Sequence, residues 1–265
     1  MLSLLSRNTA RILTLSTLST IPSSTLSTTP TPSSTPPPLK IMTFLGSARY
    51  GPPKPVRLGE RVASACVSAL SSGAYGSVSP TLVDPLDLWE ETNGKGFKPH
   101  FAYAPLRDDP PPPKLDALAQ QVQAADAFVM VSPEYNHSIS PALAHLLNHL
   151  AASSFAYKPS LIVTYSAGQW GGSRSAMTMR AFLGELGCLP VSAMVHVGAA
   201  HSVLSPQGEF LGSQTEIDNW SSYFGRGLEQ LVWWAHATRN HRAIASSQPA
   251  FTTAPSQRNA VQQQS

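Results

Sequence analysis

The chain has 265 residues, 42% hydrophobic and only 12% charged, about half the ~25% charged share usual for globular proteins. Two cysteines, Cys66 and Cys188, exclude a disulfide scaffold or cysteine-rich zinc module, and no run approaches the ~18 apolar residues of a membrane span. The formal net charge of +3 resides in the tails (Arg7, Arg11, Arg242, Arg258), because Lys40 to His241 carries 14 basic against 15 acidic residues, with no basic face for nucleic acid.

Residues 1–39 contain no acidic side chain, and 24 of the 39 are Ser, Thr or Pro. Such a composition cannot bury enough apolar surface to offset chain entropy. Its first part interleaves Leu2, Leu5, Ile12 and Leu15 with Arg7 and Arg11, the pattern of an organelle transit peptide. The expectation is a mitochondrial or plastid precursor cleaved before Lys40, with mitochondrion favoured by the Leu/Arg spacing. The alternative is a disordered extension on a cytoplasmic protein.

Apolar or β-branched runs follow at Ile41–Leu45, Val78–Val83, Ala127–Ser132, Leu161–Tyr165 and Val191–Val197. Their lengths suit strands buried on both faces. Between them the apolar spacing is helical. Leu58, Val62, Ala65, Cys66 and Ala69 recur at steps of three and four, as do Leu115, Leu118 and Val122. Ser140 followed by Pro141 starts a third helix through Leu143, Leu146, Leu147 and Leu150. Ser213-x-x-Glu216 is a capping box opening the last helix. Five strands alternating with helices predict a parallel sheet covered on both faces, in one domain over residues 40–241. The Pro-rich stretch Asp84 to Pro113 reads as a surface loop or arm, and residues 242–265 as a polar, disordered tail.

Ligands of open α/β sheets bind beyond the carboxyl ends of the strands. After strand one stands Gly46-Ser47-Ala48-Arg49, which is neither a dinucleotide G-x-G-x-x-G nor a P-loop. It does offer hydroxyl and guanidinium donors beside a helix start suited to an anion. Read alone it is equally a Gly-Ser turn. After strand three comes Ser132-Pro133-Glu134-Tyr135-Asn136-His137-Ser138-Ile139-Ser140-Pro141, longer than a connection needs. After strand four, Ser166-Ala167-Gly168-Gln169-Trp170-Gly171-Gly172-Ser173-Arg174 carries three glycines that permit close backbone approach.

Gly-Ser-x-Arg, Pro-Glu-Tyr-Asn with Ser-x-x-Pro-x-x-Leu behind it, and Gly-x-x-Gly-Gly-x-Arg together resemble the NAD(P)H-dependent FMN reductase family. The resemblance covers roughly Lys40 to Val197. It implies a flavodoxin-like fold of sheet order 2-1-3-4-5, bound FMN, NAD(P)H as donor, and a small-molecule acceptor such as a quinone or flavin. A homodimer or homotetramer is implied as well. Carried over by residue, Ser47 and Arg49 would bind the flavin phosphate. Pro133, Glu134, Tyr135 and Asn136 would line the ribityl chain and ring, and Ser166 and Gly168 the pyrimidine side. Arg174 would brace the glycine loop or reach substrate. The segment Tyr50 to Arg57 departs from the family's short turn, which makes Arg57 a second phosphate candidate. No feature serves a second phosphate, so FMN is expected rather than FAD.

The rival reading is a non-catalytic FMN-binding electron carrier or redox-sensing interaction protein, and a flavodoxin-like esterase is a third. No G-x-S-x-G elbow supports a serine hydrolase. His145 and His149 lie four apart and could share a metal with His137, but no carboxylate or cysteine stands near to complete a site. A surface or subunit-contact role is expected for that pair. Glu134 is expected to serve as a structural or capping group rather than a base. Cys66 and Cys188 read as core, and Trp233 with Trp234 as core or interface.

Overall fold

The strand runs pair into one sheet because the three central ones are buried on both sides and must be covered twice, while Val78–Val83 and Val191–Val197 form its partly exposed edges. In the computed structural model, which describes residues 36–49, 57–89 and 112–245, five strands lie parallel. They are β1 (Leu39–Leu45), β2 (Val78–Val83), β3 (Ala127–Pro133), β4 (Pro159–Tyr165) and β5 (Leu189–Val197). Their order is β2-β1-β3-β4-β5, the expected 2-1-3-4-5. The order reverses between β1 and β3, which pair in parallel from Ile41↔Ala127 to Leu45↔Val131.

Side chains alternate between the two covered faces. Ile41, Leu45, Val129, Val131, Val163 and Val195 pack under α1 (Leu58–Ser71) and α7 (Gln214–Ala245). Phe44, Phe128, Met130 and Ile162 pack under α3 (Pro113–Ala124), α4 (Pro141–Asn148) and α5 (Ser173–Glu185). Phe155 joins Phe44 and Phe128 at ring separations of 6.4 and 5.0 Å. Each such side chain contributes roughly 1.5–3 kcal/mol of burial, so the sheet is a stiff platform for the loops at its ends.

Both sheet edges are protected. Pro80 interrupts the donor row of edge strand β2. On β5, Ala193 N–H donates to Gln230 Oε1 at 2.9 Å and His196 N–H to the Tyr223 hydroxyl at 3.0 Å, both from α7.

Three expectations need correcting. The stretch after Asp84 begins as a short helix, α2 (Pro85–Trp89), whose Pro85 and Leu88 are buried; the rest of the expected arm, 90–111, lies outside the described residues. The domain extends past both expected limits. Leu39 is fully buried at the head of β1, and Pro37 carbonyl accepts from Arg239 at 2.8 Å. At the other end α7 reaches Ala245, with Arg242 paired to Asp126 at 3.2 Å. His149 is not on the surface: it is 2% exposed, its Nδ1 donates to His145 carbonyl at 2.6 Å, and its ring meets that of His145 at 4.4 Å. A second small helix, α6 (Ala200–Val203), follows β5. Both cysteines are buried, with thiols pushed up to about 12 by burial, so neither is a reactive thiolate. Trp233 and Trp234 are 63% and 44% exposed, which removes them from the core. No helix among the described residues is long and apolar enough to cross a membrane.

Candidate functional site

Parallel strands end side by side, so the loops after β1, β3 and β4 share one rim. The first is held down at Gly46. Its N–H donates to Val131 carbonyl at 2.7 Å, and its carbonyl accepts the Ser140 hydroxyl at the start of α4. A Cβ at Gly46 would lie 2.4 Å from that Val131 oxygen, so only glycine lets this loop approach β3. Ser140 also accepts from Leu143 N–H at 3.2 Å as the helix cap.

Beyond Gly46 the chain turns over Ser47, which is 4% exposed. The Ser47 hydroxyl accepts Arg49 N–H at 3.3 Å and donates towards the phenol oxygen of Tyr165. Burial raises the Tyr165 pKa, and the Ser47 bond offsets only part of that. Tyr165 is therefore a neutral post under the loop. Its oxygen would lie 2.5 Å from a Cβ at Gly59, which explains the glycine in the first turn of α1. Arg49 itself is exposed, with its guanidinium carbon 4.8 Å from the Tyr135 ring centre.

Arg57 takes a different position from the one expected. It is 4% exposed. Its guanidinium donates to Ser47 carbonyl at 2.5 Å, to Glu60 at 2.6 Å and to both oxygens of Asp84. Burial alone would lower its pKa, but the hydrogen bonds and charges of Asp84 and Glu60 outweigh burial and raise it. A guanidinium already paired with two carboxylates supports the loop from beneath and is no longer a donor for a phosphate.

The loop after β3 starts at buried Pro133 and folds into a tight hairpin. Tyr135 and Ser138 exchange both backbone hydrogen bonds, at 3.2 and 3.0 Å. Asn136 and His137 occupy the left-handed region, with φ of 52° and 60°. Two positive φ values in a two-residue connection define a type I′ turn, for which Asn is well suited. Ser132 holds the base of the loop, accepting Ser140 N–H at 3.1 Å.

Glu134 leaves this loop and caps α5. Its carboxylate accepts Arg174 N–H at 3.1 Å and Ser175 N–H at 3.2 Å, and meets the Arg174 guanidinium at 3.3 Å. Burial would raise its pKa, but the two N–H bonds and Arg174 together lower it. The residue at the α5 cap position is Gly172, which has no side chain to do this work. Glu134 is thus a capping group, and Arg174 braces the glycine loop.

The loop after β4 is tied internally. Ser166 hydroxyl donates to Gly168 carbonyl at 2.7 Å and accepts Gly171 N–H at 2.9 Å. Gly168 carbonyl also accepts Ala199 N–H at 2.8 Å. The Ser166 side chain is therefore spent on shaping the loop. The main-chain N–H groups of Asn136, His137, Ala167 and Gly168 donate to no protein acceptor among the described residues.

Sequence reasoning missed Tyr165, Asp84 and Glu60 as supports of the first loop. Tyr165 reads as one more strand residue, and a buried Arg–Asp pair 27 positions apart leaves no local signal. Among the described residues no group of three His, Cys, Asp or Glu converges for a metal, and His137 stands only against Glu134, at 3.9 Å.

A doubly wound sheet of order 2-1-3-4-5, with backbone donors on the loops after β3 and β4 beside its β1/β3 switch point, is a flavodoxin-like arrangement. Residues 39–202 match the profile of the NADPH-dependent FMN reductases, and the chain belongs to that family. It is similar to the quinone reductase of Escherichia coli strain K12, 28% identical over 201 residues, covering 73% of this chain and 97% of that one. It is also similar to an NAD(P)H-dependent FMN reductase of Pseudomonas aeruginosa, 30% identical over 132 residues, covering 48% and 69%. Among solved structures, a flavoenzyme NAD(P)H:(acceptor) oxidoreductase from Paracoccus denitrificans superimposes with a TM-score of 0.56 at 15% identity. That match covers 76% of this chain and 98% of the other, and bears on the fold. The chain is accordingly an FMN oxidoreductase that uses NAD(P)H, which sets aside the electron-carrier and esterase readings.

Proposed function

We propose that this protein passes reducing equivalents from NAD(P)H through FMN to a quinone, and that the rim after β1, β3 and β4 is where the flavin lies. The observation that carries this is the set of backbone donors at Asn136, His137, Ala167 and Gly168, held on a braced rim with no protein acceptor among the described residues. A flat heterocycle with ring carbonyls and nitrogens suits such donors. Arg49, exposed with its guanidinium against Tyr135, is the phosphate candidate, while Ser47, Arg57 and Tyr165 shape the loop that presents it. Pro133, Tyr135 and Asn136 would lie along the ribityl chain and ring, and Gly168 at the pyrimidine edge. FMN supplies hydride acceptance and release when bound. The protein's own part is to hold donor and acceptor in turn at reacting distance, ~3–3.5 Å, and to set backbone N–H groups where negative charge develops.

The test is purification without added cofactor, reverse-phase identification of any extracted flavin, and stopped-flow mixing with each nucleotide. Bound FMN bleached by NADPH or NADH, and reoxidised by a quinone over many turnovers, is the expected result. A dominant FAD peak, or flavin that no nucleotide reduces, would overturn the proposal.

Assembly and location belong to the same proposal. A homodimer is supported by the exposed pair Trp233 and Trp234 on α7, and a monomer by light scattering at micromolar concentration contradicts it. The transit-peptide reading rests on the composition of residues 1–39. Because Leu39 pairs with Val78 and Pro37 is bonded to Arg239, processing would fall before Pro37 rather than before Lys40. A mitochondrial location with a new N-terminus by mass spectrometry is expected; a cytosolic protein retaining Met1 refutes it.

A further inference from the structure

Trp170 is the one bulky apolar side chain in the loop after β4, and it is 61% exposed. Burying an indole would contribute favourably, yet the loop presents it to solvent on a fixed backbone. Gly168 carbonyl is tied to Ala199 N–H at 2.8 Å. Gly171 and Gly172 take φ of 60° and 75°. A Cβ at Gly198 would stand 2.5 Å from Gln169 oxygen, so the segment before Trp170 is pressed against the turn after β5. Trp170 carbonyl in turn accepts Ser173 N–H at 3.2 Å.

The ring is also placed. The Arg174 guanidinium carbon lies 5.5 Å from its centre, and Arg174 is held by Glu134 of the neighbouring loop at 3.3 Å. The run Trp170–Arg174–Glu134 therefore crosses the seam between the loops after β3 and β4, beside the backbone donors assigned to the flavin. On the other loop Tyr135 has a guanidinium of its own, Arg49, at 4.8 Å. The loops after β3 and β4 thus each carry an aromatic ring against an arginine, and Trp170 is the more exposed of the two rings.

We propose that Trp170 is the wall against which a planar aromatic electron acceptor stacks, making it a specificity-determining residue for quinones and flavins over compact inorganic acceptors. This rests on the flavin-site reading above. An electron-rich indole held by Arg174 offers its remaining surface to an electron-poor ring, by offset stacking. A small octahedral ion such as ferricyanide gains nothing from such a surface.

The experiment compares the FMN-loaded wild type with Trp170→Ala and Trp170→Phe. Menadione is titrated calorimetrically into the oxidised protein, where no electron transfer occurs, and kcat/KM is measured for menadione and for ferricyanide. Trp170→Ala is expected to weaken menadione binding by roughly 2- to 12-fold and to lower the menadione-to-ferricyanide ratio of kcat/KM by a similar factor. Trp170→Phe is expected to restore most of both. Unchanged menadione affinity in Trp170→Ala, or an equal loss with ferricyanide, overturns the assignment. The yellow colour of the wild type and its bleaching by NADPH test the flavin-site reading in the same samples, so the two can fail separately.

Discussion

Removing the Glu134 carboxylate should loosen the rim in a way that pH exposes. Glu134 replaces the side chain that Gly172 lacks at the start of α5, accepting two first-turn N–H groups at 3.1 and 3.2 Å. Loss of such a cap costs about 0.5–2 kcal/mol. Its charge beside the helix N-terminus adds about 0.3–1 kcal/mol. Arg174 is 45% exposed in its side chain, so that ion pair adds little, about 0.2–1 kcal/mol after screening. These terms overlap, and Glu134→Ala should lose about 2 kcal/mol near neutral pH, or ~4–8 °C in Tm for a domain of this size. The Glu134 pKa is lowered in the folded protein. Its charge-dependent contribution is therefore complete above the ordinary carboxylate value and is lost as pH falls through the lowered folded value. Urea denaturation of wild type and variant should give a gap at pH 7 that narrows in acid. Glu134→Gln, which keeps an acceptor but no charge, should fall between them with no such pH dependence. Equal stability at pH 7, or a gap that does not narrow in acid, would refute the reasoning.

Arg49→Ala should weaken FMN binding about 10- to 150-fold with the fold intact, the loss of a charge-assisted contact worth roughly 1.5–3 kcal/mol; fluorescence titration of the FMN-free protein measures it. Gly46→Ala places a Cβ 2.4 Å from Val131 oxygen, so overpacking should destabilise by about 1–3 kcal/mol, read by denaturant midpoint, and FMN affinity should fall as the first loop is displaced. Lys158 is 6% exposed and donates to the last carbonyls of α3, Val122 and Gln123, at 2.8 and 2.7 Å. Burial, with Arg242 nearby, lowers its pKa to about 7. A lowered folded value means the unfolded chain binds the proton more tightly, so stability should rise with pH from about 7 towards 10.5 relative to Lys158→Met. A pH-independent difference between the two would contradict this.

The sequence alone determined the platform. Runs apolar on both sides, as in β1, β3 and β4, are satisfied by a sheet covered twice, and β1 to β5 fall within two residues of the five runs because burial and hydrogen bonding act locally along a strand. Ser140 and the Ser213/Glu216 pair were legible for the same reason, since a helix cap is made by residues three apart. The loops of the site were found through their glycines and the Pro133–Asn136 segment. Their internal division of labour was not. Arg49 and Arg57 are chemically alike and eight positions apart, yet Asp84 and Glu60 take up Arg57 and none of the described carboxylates is paired with Arg49. Tyr165 beneath Ser47 and Glu134 at the head of α5 likewise depend on partners brought together by strand order. Periodicity and caps report what a residue does with its near neighbours; which charges meet across loops is decided only once the sheet has set β1, β3 and β4 side by side.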